Sequence, residues 1–104
     1  MAIKVEGLFQ NPQSQLIYQS PTLTLTPHLE YPGVLNMDVS IYPTGSAQPN
    51  GSVGYVNIDR AQLTYPTGSD DYDNIIYALE TYVITNLSGS NAMNSQAVFT
   101  RWNP

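Results

Sequence analysis

Few residues in this 104-residue chain could do chemistry. There is one histidine, His28, and no cysteine. Thiolate nucleophiles, disulfides and zinc–thiolate sites are therefore excluded. A Ser-His-Asp relay needs a serine presented beside the imidazole, and no Gly-x-Ser-x-Gly turn supplies one. One imidazole cannot build a multi-histidine metal site. Flanked by Pro27 and Leu29, His28 reads as a loop residue.

Carboxylates are the other route to acid–base chemistry. Glu6, Glu30, Asp38, Asp59 and Glu80 are scattered among predicted strands, whereas glycosidase chemistry needs two carboxyls facing across a cleft. The densest acidic run is Ser69-Asp70-Asp71-Tyr72-Asp73-Asn74. Its oxygens suit Ca²⁺, but the spacing lacks the glycine and the distant glutamate of an EF-hand. It reads as a solvated loop. The expectation is a non-enzymatic chain with no cofactor and no metal.

Aromatic side chains remain. Tyr31, Tyr42, Tyr65 and Tyr72 fall at or near turns, and Trp102 ends the last apolar stretch. A ring with a polar tip suits protein interfaces or sugar stacking. Tyr42, Tyr65, Tyr72 and Trp102 are the interaction candidates. Asn50-Gly51-Ser52 and Asn86-Leu87-Ser88 match the glycosylation sequon, a pattern that chance supplies readily in a chain rich in Asn and Ser.

The elements that must position these residues are mostly strands. Leu35, Met37, Val39 and Ile41 alternate with polar residues, and so do Leu23 and Leu25 within Thr22–Thr26. Such period-two patterning marks half-buried strands. Ile3, Val5 and Phe9 mark an N-terminal strand around Gly7, and Leu16–Tyr18 a short one after Asn11-Pro12. Val53–Tyr65 alternates with a phase change near Asp59-Arg60, which implies a bulge. Gln96–Trp102 is the last strand, with Ala97 and Phe99 on one face and Val98 and Trp102 on the other. Prolines 12, 21, 27, 32, 43, 49 and 66 punctuate the chain, and Asn50-Gly51 is a tight-turn signal.

Tyr42-Pro43-Thr44-Gly45-Ser46 recurs as Tyr65-Pro66-Thr67-Gly68-Ser69. Each copy reads as a turn with Pro at the first central position and Gly in the positive-φ position. The segment from Asn74 to Leu87 carries two patterns. Ile75, Ile76, Leu79, Tyr82, Val83 and Leu87 share a helical face that Asp71 or Asp73 could cap. Its Ile, Val, Thr and Tyr content favours a strand, and the strand is the expectation. The whole then reads as a single all-β domain over residues 1–104, an antiparallel sandwich or barrel of about six or seven strands. The alternative is α+β with one helix near residues 74–87.

Charge narrows the partners. Charged residues make up 11% of the chain, against about 25% in ordinary soluble domains. The net charge is −5, with Lys4, Arg60 and Arg101 the only basic side chains. Three cations cannot track a phosphate backbone, so no direct nucleic-acid partner is expected. No basic amphipathic segment or apolar run of roughly 20 residues points to a membrane, and the first residues lack the apolar core of a secretion signal. A surface built from Ser, Thr, Asn and Gln sets up little repulsion between like copies. The expectation is a homo-oligomeric structural protein whose partners are protein neighbours in a multi-copy assembly. A phage or viral virion component (capsid decoration, connector or tail protein) fits best. An extracellular carbohydrate-binding module is the alternative.

Overall fold

A computed structural model describes residues 2–31, 34–59 and 72–102. The alternating segments form the strands β1 (Ala2–Glu6), β2 (Leu8–Gln10), β3 (Ile17–Gln19), β4 (Thr22–Tyr31), β5 (Val34–Tyr42), β6 (Ser52–Asp59) and β7 (Val98–Trp102). The two helices are α1 (Tyr72–Ser88) and α2 (Ala92–Gln96). A five-stranded antiparallel sheet runs β6-β5-β4-β1-β7, and β2 and β3 form a separate two-stranded ribbon. The class is thus α+β, with no closed barrel among the described residues.

The expected strand at 74–87 is the main correction: it is the heart of α1. Tertiary need overrides β propensity here. Period-two alternation gives the sheet one apolar face, with Ile3, Val5, Leu23, Leu25, Met37, Val39 and Ile41 all buried. Ile75, Ile76, Leu79, Val83 and Leu87 join them in one core cluster, because the 3.6-residue repeat gathers them on one side of a helix. The all-β sandwich fails for the same reason: α1 supplies cover that a second sheet would have given.

Gly7 divides the expected N-terminal strand in two. Its φ of 106° turns the chain from the main sheet into the ribbon, a geometry that side-chain-bearing residues resist. In the ribbon, Phe9 lies opposite Tyr18, and both are buried. The Phe9 ring meets Phe99 edge-on, with 6.2 Å between centroids.

Other details shift. His28 lies not in a loop but in β4, opposite Asn36, and Pro27 pairs with Met37 one position earlier. Among the described residues, β1 pairs with β4 only as far as Thr24. Beyond that point no described strand lies on that side of β4, and a residue without an N–H is tolerated there. The first Tyr-Pro-Thr-Gly-Ser copy does form a turn. However, the Ser46 N–H donates to the Pro43 carbonyl at 3.0 Å, so Pro43 precedes the central pair. Gly45 takes the positive φ of 77°. The second copy, Tyr65 included, and the phase change near Arg60 lie outside the described residues. Asn50-Gly51 closes a longer β5–β6 connection instead of a two-residue hairpin.

Candidate interaction surface

Among the described residues, the sheet's second face is open. By alternation it presents Lys4 and Glu6 from β1, Thr22 and Thr24 from β4, Ser40 and Tyr42 from β5, and Val98, Thr100 and Trp102 from β7. The register lays Tyr42, Thr22, Lys4 and Thr100 in one cross-strand row, with Ser40, Thr24, Ala2 and Trp102 in the next. The face bears a shallow concavity of about 480 Å³, lined by Lys4, Glu6, Thr22, Thr24, Tyr42 and Trp102 among others. Two of the four aromatic candidates, Tyr42 and Trp102, therefore share a surface. Tyr65 lies outside the described residues, and Tyr72 opens α1. The Lys4 ammonium sits 4.2 Å from the centre of the Trp102 ring, so one ring face already holds a cation.

Strand β7 is the edge of this face. Among the described residues it pairs with β1 alone. Its outward side chains are Val98, 57% exposed, Thr100, and Trp102, 40% exposed; none is charged. Its one charge, Arg101, is opposite Ile3 and turns inward to α1. There the guanidinium stacks 3.7 Å over the Tyr77 ring and donates to the Thr81 hydroxyl. Its Nε lies 3.6 Å from Glu80 Oε1. Tyr77 remains 45% exposed beside it.

Glu80 is 2% exposed, and its second oxygen has no hydrogen-bond partner among the described residues. Burial pushes its carboxyl above the usual 4.5, with the Arg101 charge pulling the other way. Sequence reasoning missed this cluster. Tyr77, Glu80 and Thr81 stand at i, i+3 and i+4, a stripe visible only once the segment is taken as a helix.

Glu6 lies on the open sheet face, and Asp59 is exposed at the end of β6. Asp73 sits in the first turn of α1, while residues 69–71 of the acidic run lie outside the described residues. Among the described residues no cluster of three or more His, Asp or Glu side chains could hold a metal ion.

A second apolar surface lies on the ribbon, where Leu8, Leu16 and Ile17 are exposed. The inward neighbours Phe9 and Tyr18 fill the core, so alternation forces Leu8 and Ile17 outward. A scan against protein-family models finds no match, and neither do searches of curated proteins and of solved structures.

Proposed function

We propose that this chain is a non-enzymatic structural protein that works in a multi-copy assembly through protein–protein contacts, as a small phage or viral virion component. One observation carries the reading. Among the described residues, large apolar side chains stay exposed in two places, Leu8, Leu16 and Ile17 at the ribbon and Val98 and Trp102 on the outward face of β7, with Tyr77 exposed separately on α1. Grouped apolar exposure marks interaction surfaces, whereas single exposed apolar residues are ordinary. Strand β7 also carries no outward charge and no proline, and its one charged residue, Arg101, is already engaged by α1. The low charge of the whole molecule acts in the same direction.

Light scattering on a size-exclusion column, together with pull-down from the native source, tests the reading. Association with itself or with particle proteins is expected. A strictly monomeric chain that binds no other protein overturns it.

A carbohydrate-binding module is the second reading, favoured by the concavity that Tyr42 and Trp102 share. Lys4 over the indole weighs against it, because sugar stacking needs that ring face open. Binding on a glycan array, lost in Trp102→Ala, would establish it in place of the first.

A further inference from the structure

We propose that β7 pairs antiparallel with β7 of a second copy, about a two-fold axis through Thr100, to give one continuous sheet. This rests on the assembly reading above and names the partner of the β7 edge. In an isologous contact each residue meets its counterpart across the axis. Val98 and Trp102 lie two positions either side of Thr100, on the same outward face. In this register Val98 of each copy therefore lies directly opposite Trp102 of the other, and Thr100 meets Thr100. Opposed side chains on paired strands stand roughly 4.5–5.5 Å apart at Cβ. The two exposed apolar residues of the strand thus cover one another twice per dimer.

Neighbouring registers are worse. An axis at Arg101 sets two guanidinium-bearing residues opposite each other and matches Trp102 with Thr100. An axis at Phe99 leaves Trp102 beyond the strand of its partner, opposite Gln96. Only the Thr100 axis pairs both apolar residues and keeps every outward pair uncharged. On the inner face it sets Arg101 beside the half-buried Phe99 of the second copy, while Tyr77 borders the junction from α1. Two five-stranded sheets joined this way stay within the ~10 strands that a twisted open sheet accommodates.

The absence of cysteine makes the test direct. Thr100→Cys is expected to form a disulfide-linked dimer on mild oxidation, whereas Thr24→Cys, on the same face but in an interior strand, stays monomeric on denaturing gels. Val98→Asp is expected to weaken the dimer by ~tenfold or more, because two apolar contacts are lost per dimer. Unchanged circular dichroism would show that the fold persists. If Thr100→Cys fails to cross-link and Val98→Asp associates like the parent, this interface is wrong, although association by another surface would leave the assembly reading standing. A monomer that binds other proteins likewise overturns the interface alone. A monomer that binds nothing overturns both.

Discussion

At the scale of single residues, the chemistry resides in Glu80 and Arg101. A buried carboxylate with an unmatched oxygen is held by a cation 3.6 Å away on the edge strand. Because burial raises the Glu80 pKa above 4.5, the folded chain binds a proton that the unfolded chain has released. That contribution to stability is fully present below 4.5 and is lost as pH rises through the raised value. Glu80→Gln keeps the shape without the titration. Thermal melts from acidic to neutral pH are expected to show a flatter dependence for Glu80→Gln than for the parent, and identical slopes would refute the assignment. Gly51 shows a different residue-level constraint. Its φ is 98°, and a Cβ there would come within 2.9 Å of the Tyr18 hydroxyl, which donates to the Asn50 carbonyl.

At the scale of elements, two asparagines join the ribbon to the helical layer: Asn91 Nδ2 donates to the Gln10 carbonyl at 3.4 Å, and Asn94 makes the closer contacts. Asn94 is wholly buried in α2, where its Oδ1 accepts from the Gln10 N–H at 2.8 Å and its Nδ2 donates to the Gln10 carbonyl at 2.9 Å. It thus serves β2 as a neighbouring strand would. Asn94→Ala removes both of these bonds and is expected to cost about 2–4 kcal/mol in denaturant unfolding. A loss below about 0.5 kcal/mol would show that water replaces the amide. No sequence signal announces this clamp, since a buried asparagine looks like any loop asparagine until its distant partner is known. Strands β1, β5 and β7 and the first half of β4 were legible because alternation is local, and the faces of Val98, Phe99 and Trp102 followed from it directly. Helix α1 was not, because Ile, Val, Thr and Tyr suit either structure, and the choice depends on the apolar sheet face that needs covering. That Tyr42 and Trp102 line one concavity was equally hidden: it requires the register of β5, β4, β1 and β7, which no local pattern encodes.

At the scale of the whole molecule, the position of β1 sets an order of events. Strands β4, β5 and β6 form a meander whose neighbours are consecutive in sequence, so they pair across short loops. By contrast, β1 joins Ala2 to Trp102 and Glu6 to Val98, positions more than ninety residues apart. Long loops close late, because their entropic cost precedes any gain from contacts. The meander and its docking helix should therefore lie on the early side of the folding barrier, and the β1–β7 seam on the late side. Stopped-flow measurements are expected to show Leu25→Ala slowing refolding and Phe99→Ala chiefly speeding unfolding. If both act on the same limb, the order is wrong. The strand that carries the exposed Val98 and Trp102 would then also be the first to detach, and its hold on β1 would set how long the folded chain survives.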